Sequence, residues 1–193
     1  MKYDLSKHPT RGAQRTLDAF YLCLIKCLTT KAFEKINVNE LCESARYPRA
    51  TFYNYFDDKY DLLDYCFRRQ VLSIHIEDAF SLPEKEIIPV FFDRICSELT
   101  AHQTLINKII AHNPPDRWFC TRYRYVVSMS SQEIITKRFN SKKLTLPSDI
   151  FAKYIANTLN LFVEYNFTCK GKYSQAELKA YLVNLLKSYA NEK

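Results

Sequence analysis

Four side chains between residues 48 and 56 have the types and the spacing needed to read base pairs. They are Arg49, Ala50, Tyr53 and Asn54. On a helix, residues three and four positions apart are neighbours, so the four share one face, and Phe52 and Phe56 fall on the other. An arginine can contact O6 and N7 of guanine together, an asparagine can make the paired contact with adenine, and a small alanine can approach a thymine methyl. This face is predicted to read the major groove of duplex DNA.

A second set of side chains nearby carries hydroxyl, amide or charged groups that suit phosphate oxygens. Such contacts fix the register of a protein on the duplex and carry no sequence information directly. For each residue alone, a solvated surface position explains the side chain equally well. The predicted set is Asn37, Asn39, Arg46, Tyr47, Thr51, Tyr53, Tyr55 and Lys59.

Two short helices and a tight turn are predicted to position these groups. Asn37 can cap a helix that starts near Val38, and Glu40, three positions on, can reach back in the manner of a capping box. Pro48 opens a second helix over residues 48–56, because a proline is tolerated in the first turn. Asp58 then caps a further helix that begins at Lys59.

The segment 37–63 resembles the helix-turn-helix of the TetR family of transcriptional regulators. That family's pattern reads approximately Ser-Arg-Gly-Thr-Phe-Tyr-x-His-Phe, followed by a polar stretch, a lysine and a leucine pair. The resemblance covers about the first third of the chain. The residues that carry it are Arg49, Thr51, Phe52, Tyr53, Phe56, Lys59, Leu62 and Leu63.

Three positions depart from the family's pattern. Arg46 stands in the turn where glycine is common, Pro48 replaces a capping serine, and Ala50 replaces glycine. Arg46 is therefore expected to adopt a left-handed or strained conformation at a cost of about 1 kcal/mol. The fold tolerates this, but the phosphate contacts around the turn are expected to differ in detail.

Composition favours an all-α fold. The 193 residues include only 2 glycines, and 47% are hydrophobic, which suits helices joined by short loops. A first helix is predicted over 10–30, with Thr10 as its cap and with Phe33 filling the core of the N-terminal helices. Prolines delimit later helical segments near 84–101, 103–112, 116–140, 148–168 and 174–190. We predict a three-helix DNA-binding domain at 1–58 and a helical effector-binding and dimerisation domain at 59–193, with a connecting helix at 59–80.

Other classes of protein fit the sequence less well. No apolar run approaches the roughly 18 residues that span a bilayer, and the N-terminal stretch lacks a signal-peptide centre, so no membrane partner and a cytoplasmic location are expected. The 7 cysteines form no CxxC pair, and no metal site or cofactor is predicted. No catalytic motif is present, so an enzyme is not expected. The net charge of +7 favours a polyanionic partner but is spread along the chain.

The resemblance also implies a ligand pocket and a dimer. Possible pocket residues for a small apolar or aromatic effector are Trp118, Phe119, Tyr123 and Phe162, although ordinary core packing explains each of them as well. The family's last two helices form a four-helix interface with a partner, whereas the alternative is that both apolar stripes face the core of the monomer. The predicted interface residues are Phe151, Ile155, Phe162, Leu178, Tyr181, Leu182 and Leu185.

One short recognition helix contacts only a few base pairs. Useful affinity therefore needs two reading heads, one helix-turn-helix from each subunit, held about 34–36 Å apart. The function predicted from these features is a homodimeric transcriptional regulator that binds a palindromic double-stranded DNA operator. The family's common mode implies a repressor that a small molecule releases. The alternative is a TetR-like coactivator or protein-interaction module that does not itself read DNA.

Overall fold

The computed structural model describes residues 9–139, 146–168 and 172–187, and these residues are helical without any strand. The predicted all-α fold is confirmed. Two short 3-10 turns occur at Phe33–Lys35 and Ile76–Ser81. None of the helices in the described part of the chain is long and apolar enough to cross a membrane. The α-helices are α1 (Arg11–Leu28), α2 (Val38–Ala45), α3 (Arg49–Tyr55), α4 (Lys59–Leu72), α5 (Glu84–Ala101), α6 (Gln103–His112), α7 (Trp118–Phe139), α8 (Ser148–Thr168) and α9 (Gln175–Lys187).

The chain divides into two compact units. The first comprises Met1–Arg69 and Gln103–Tyr123, and the second comprises Gln70–His102 and Arg124–Lys193. Helix α6 and the start of α7 thus belong with the helix-turn-helix, although they follow it by about forty residues in sequence. The boundary predicted at residue 58 rests on the motif alone and stays a prediction.

Aromatic side chains form the core beneath the helix-turn-helix. The ring of Phe20 on α1 lies 5.2 Å from that of Phe52 on α3 and 6.2 Å from that of Phe56, at nearly perpendicular angles. All three rings and Leu41 of α2 are fully buried. Burying large rings removes much apolar surface from water, so this packing fixes α3 against α1 and leaves its opposite face outward.

The caps predicted at Thr10, Asn37 and Asp58 are confirmed, but the capping box predicted for Glu40 is not, because that carboxylate pairs with Lys31. The side chain of Thr10 accepts from the backbone N–H of Ala13 at 3.2 Å, and Asn37 Oδ1 accepts from Glu40 N at 2.9 Å. Asp58 Oδ1 accepts from the backbone N–H groups of residues 60 and 61. The Glu40 carboxylate forms an ion pair with Lys31 at 2.5 Å, which raises the pKa of that lysine, so Glu40 is directed toward Lys31.

The connecting helix is shorter than predicted. Helix α4 ends at Leu72, because His75 adopts a left-handed conformation with φ 50° and a 3-10 turn follows. The guanidinium of Arg94 donates to the backbone oxygens of Ile74 and His75, carbonyls at the end of this helical stretch. A cation near a helix C-terminus also interacts favourably with the helix dipole. No glycine or proline marks this end in the sequence.

Helices α5, α8 and α9 pack together in the second unit. Ile155, Leu178 and Leu182 lie inside this core, with 0%, 3% and 0% of their surface exposed. Their own chain covers these three side chains, and this burial does not support their predicted place in a dimer interface. Phe151 and Phe162 pack partly buried against the same core.

The exposed apolar residues of α8 and α9 lie on other faces. Leu161 is 61% exposed on α8, and Tyr181 and Leu185 are 45% and 42% exposed on α9. On the same side of α8, Asn157 accepts a hydrogen bond from Ser128 of α7. Of the seven predicted interface residues, Tyr181 and Leu185 are therefore the two with large exposed surfaces.

At its N-terminus α9 has a capping box that was not among the sequence predictions. Glu177 accepts from the backbone N–H and the hydroxyl of Ser174 at 2.7 and 2.8 Å, and Ser174 Oγ accepts from Glu177 N at 3.2 Å. The backbone hydrogen bond, followed by the hydroxyl, lowers the pKa of the Glu177 carboxyl. The signal Ser-x-x-Glu is present in the sequence and fixes where α9 begins.

Candidate nucleic-acid interface

The turn between α2 and α3 adopts the strained geometry expected from the sequence. Arg46 ends α2 in the left-handed region with φ 57° and ψ 39°, where glycine is the usual residue. The backbone N–H of Tyr47 donates to the Cys42 oxygen, and the Tyr47 ring packs 5.7 Å from that of Phe20. This packing and hydrogen bonding hold the turn and present the Arg46 side chain to solvent.

The four predicted base-reading residues are all exposed on α3. The Arg49 guanidinium donates to the Tyr53 hydroxyl at 3.2 Å and lies 5.7 Å from the centre of the Tyr53 ring. One turn of helix separates the two residues, so the tyrosine holds the arginine along the outer face of α3. Phe52, on the opposite face, is fully buried, which fixes the rotation of the helix about its axis.

A groove of about 560 Å³ lies between α2 and α3. It is open, and Arg46 and Arg49 contribute positive charge to it. Glu43 contributes the opposite charge at one side. The lining residues are Asn39, Cys42, Glu43, Arg46, Tyr47, Pro48 and Arg49.

The remaining predicted phosphate contacts lie on the same unit. Asn37 and Asn39 are exposed near the start of α2, and Thr51 and Tyr55 are half-buried on α3. Asn37 Oδ1 already serves as a cap, which leaves its Nδ2 as the donor toward an anion. The contacts of these residues with DNA stay predictions.

Lys59 has a role that the sequence did not indicate. Its ammonium donates to the backbone oxygens of Phe33, Glu34 and Ile36 at 3.2, 2.9 and 2.7 Å. An ammonium has three protons, and the three carbonyls take all of them. Burial lowers the pKa of Lys59, and the carboxylates of Glu34 and Asp58 oppose this shift. The predicted phosphate contact by Lys59 is therefore not supported by this geometry.

Aromatic rings from α4 and α7 surround Phe33 in what we call the Phe33 cluster. The Trp118 ring stacks on Phe33 at 5.7 Å with an interplanar angle of 16°, and the Tyr60 ring meets both edge-on. Phe119 packs 6.3 Å from Phe33 and 5.4 Å from Phe67. The residues of the cluster are Phe33, Tyr60, Phe67, Trp118, Phe119 and Tyr123.

The four predicted pocket residues do not share one unit. Trp118, Phe119 and Tyr123 belong to the Phe33 cluster of the first unit, whereas Phe162 packs against the core of the second. The ring of Tyr123 lies 5.1 Å from that of Phe67, and burial raises the pKa of its hydroxyl to about 12. Phe119 is buried and Tyr123 is half-buried, as core packing requires, whereas Trp118 is 44% exposed, and the pocket itself stays a prediction.

Ion pairs between distant parts of the chain hold α4 within the first unit. Asp64 accepts two hydrogen bonds from the Arg122 guanidinium of α7, a bidentate pair. Arg69 pairs with Asp18 of α1 at 2.5 Å and lies 4.5 Å from the centre of the Tyr21 ring. The partners are about fifty to sixty residues apart, and no local sequence pattern predicts such pairs.

No metal site is apparent in the described ranges, since no three His, Cys, Asp or Glu side chains form a suitable group there. The cysteines of the first unit are buried, apart from the half-buried Cys120. Desolvation raises the pKa of the Cys27 and Cys42 thiols, which disfavours the thiolate needed for metal binding or nucleophilic attack.

Comparison with known proteins shows which family this geometry resembles. Residues 25–66 match the model of the bacterial regulatory proteins of the tetR family. This range runs from α1 through α2 and α3 into α4. No curated protein matches the chain.

Solved structures share the fold over nearly the whole chain. A TetR-family transcriptional regulator from Syntrophomonas wolfei is 15% identical, with a TM-score of 0.63 over 91% of this chain and 94% of its own. The fatty acid degradation regulator FadR from Bacillus halodurans is 15% identical, with a TM-score of 0.61 over 97% and 100%. FadR from Bacillus subtilis, solved with stearoyl-CoA, is 17% identical, with a TM-score of 0.51 over 91% and 99%. Residues 25–66 therefore carry the helix-turn-helix of the tetR family, and the chain has the TetR-like fold of that family's transcriptional regulators.

Proposed function

We propose that the protein is a homodimeric transcriptional repressor that binds a near-palindromic operator in double-stranded DNA. The observation that carries the proposal is the outer face of α3. Arg49, Ala50, Tyr53 and Asn54 are exposed there, while the buried Phe52 fixes the orientation of the helix. In a helix-turn-helix this face enters the major groove.

Within this proposal the interface residues have separate roles. Arg49 and Asn54 read bases, and Ala50 allows close approach. The residues around the turn and at the start of α2 hold the phosphate backbone, and Tyr53 positions the Arg49 guanidinium through the hydrogen bond of 3.2 Å. Lys59 acts indirectly, because its ammonium stabilises the turn at Phe33–Lys35 through three hydrogen bonds to backbone oxygens. Preorganised side chains lose less conformational entropy on binding.

The dimer is part of the proposal, with an interface that differs from the sequence prediction. We propose that the exposed apolar side chains of α8 and α9 form it, namely Leu161, Tyr181 and Leu185. The two helices pack against each other, and in this proposal their exposed apolar side chains contribute to one surface. A two-fold axis through that surface gives a self-complementary contact and holds two reading heads together.

A small-molecule effector that releases the DNA completes the proposal. It is supported by the family's common mode and by the aromatic content of the chain, 15%. The ligand acts only through a difference in affinity between the DNA-competent and incompetent forms. A thermal-shift screen of apolar and aromatic compounds identifies it, and a true effector must also dissociate the operator complex.

Selection of bound sequences from random duplexes tests operator binding directly. We expect the purified protein to enrich a near-palindrome whose half-sites are centred about one helical turn, roughly 34–36 Å, apart. Affinity for the enriched duplex should fall steeply with salt as phosphate counterions are released. A steep salt dependence without any enriched sequence would show non-specific binding of cationic side chains. Binding to no duplex would favour the protein-interaction alternative.

Replacing Arg49 with alanine is expected to relax the preference at one base position in each half-site. A bidentate contact with guanine contributes about 1–3 kcal/mol of discrimination, so the preferred base should lose that advantage while other positions keep theirs. Arg117→Ala is the matched control, since Arg117 is exposed in the same unit but lies outside the motif. An unchanged preference profile in the Arg49 variant contradicts the assignment.

A further inference from the structure

Asn113, just beyond the end of α6, is a polar residue that is almost completely buried. Only 2% of its surface is exposed. Its Oδ1 accepts from the backbone N–H of Phe33 at 2.8 Å, across 80 residues of sequence, and its Nδ2 donates to Ile109 O at 3.0 Å. The Cys120 thiol donates to the Asn113 backbone oxygen at 3.4 Å. Each polar end of the side chain therefore has a partner.

The segment that Asn113 contacts is the 3-10 turn Phe33–Lys35, which leads into α2. Ile36, which follows the turn, is buried, and Asn37 is the cap of α2. Lys59 binds the carbonyl oxygens of the same turn, and Trp118 stacks on the Phe33 ring. The turn is thus held through its N–H by Asn113 and through its carbonyls by Lys59.

We propose that Asn113 is a positioning residue for DNA recognition, which fixes the turn before α2 and thereby the placement of the helix-turn-helix. The inference rests on the operator binding proposed above and adds to it a residue outside the recognition motif. Residues 25–66 are the part that matches the family model, and Asn113 lies far beyond them. The segment from α6 to the start of α7 therefore contributes to DNA recognition by the first unit.

The physical basis is the cost of a buried N–H without a partner. Without the Asn113 side chain, Phe33 N loses its acceptor, and the cost of a buried N–H without a partner favours forms in which the turn has moved toward water. The variant then populates a form with a displaced α2 and α3. The apparent operator affinity falls in proportion to the fraction of molecules that keep the DNA-binding arrangement. No phosphate contact is lost, so the dependence of affinity on salt stays the same.

The test compares Asn113→Ala with Asn107→Ala in the full-length protein. Asn107 is an exposed asparagine on α6, where it accepts from Gln103 at 2.9 Å. We expect Asn113→Ala to lower affinity for the selected operator by roughly tenfold, with an unchanged salt slope. Its Phe33 amide should exchange hydrogen faster. Its tryptophan emission should become more sensitive to acrylamide, since Trp118 is the only tryptophan in the chain. Asn107→Ala should match the wild type throughout.

A folded Asn113→Ala variant with full operator affinity overturns the inference, as does a changed salt slope, which would indicate a direct contact with DNA. Should the variant not fold, hydrogen exchange of the wild type decides. The Phe33 amide must then exchange as slowly as that of Phe52, and rapid exchange overturns the inference. If the wild type binds no duplex, the proposed function fails instead, while exchange and quenching still report whether Asn113 holds the turn.

Discussion

Phe33→Ala is expected to lower the free energy of unfolding of the first unit by about 3–5 kcal/mol, the range for removing a buried phenylalanine ring. The Phe33 side chain is 0% exposed, and it contacts the rings of Tyr60, Trp118 and Phe119. The Lys59 ammonium lies 4.9 Å from the centre of its ring. Alanine removes all of these contacts and leaves a cavity between α4 and α7.

Urea denaturation measures this loss, with the single tryptophan as a local probe of the first unit. Far-UV circular dichroism follows both units together, so a Trp118 transition at lower urea than the dichroism transition localises the damage. Leu22→Ala is the control, because Leu22 is 63% exposed on α1 of the same unit, and its effect should stay within about 0.5 kcal/mol. A loss below about 1 kcal/mol for Phe33→Ala would contradict the central place of this ring.

Local features of this fold could be read from the sequence because their partners are a few residues apart. The caps at Thr10, Asn37 and Asp58 depend on groups two or three positions away. The left-handed Arg46 was expected because it stands in the turn where the TetR family commonly has glycine. In these cases the spacing of residue types along the chain is nearly sufficient to predict the local structure.

Features that depend on distant partners could not be read in this way. Lys59 stands where a phosphate contact is plausible, but three carbonyl oxygens more than twenty residues earlier bind its ammonium. Asn113 holds Phe33 from 80 residues away, and its sequence context resembles an ordinary helix end. A polar side chain has no periodic pattern that reveals its partner, so only the tertiary structure identifies these contacts.

The apolar stripes of α8 and α9 show a different limit. Their spacing correctly indicated amphipathic helices, but an apolar stripe does not specify whether its own chain or a partner covers it. In the structure Ile155, Leu178 and Leu182 face the core, and Leu161 is exposed on another side of α8. Single exposed apolar residues are common on protein surfaces, and one such residue does not change the periodic pattern of its helix.

Leu161→Glu is therefore expected to separate the proposed dimer and to lower operator affinity by about 10²–10⁴-fold, the gain that linking two binding sites commonly provides. A carboxylate at this position would lie unpaired in an apolar interface, whereas in the monomer it stays in water. Because Leu161 is 61% exposed, the thermal stability of the isolated subunit should hardly change. Sedimentation velocity measures the dissociation, and fluorescence anisotropy with the selected duplex measures the affinity.

The salt dependence of binding distinguishes loss of the dimer from damage to the helix-turn-helix itself. One head contacts about half of the phosphates, so the slope of log affinity against log salt should fall to roughly half in the Leu161→Glu variant. Leu22→Glu is the matched control, since it places the same charge at an exposed leucine of the first unit and should remain dimeric. A Leu161→Glu protein that stays dimeric with full affinity would exclude this face of α8 as the subunit interface. In that case the two heads must be joined through a different surface, and the roles proposed for Tyr181 and Leu185 would fail with it.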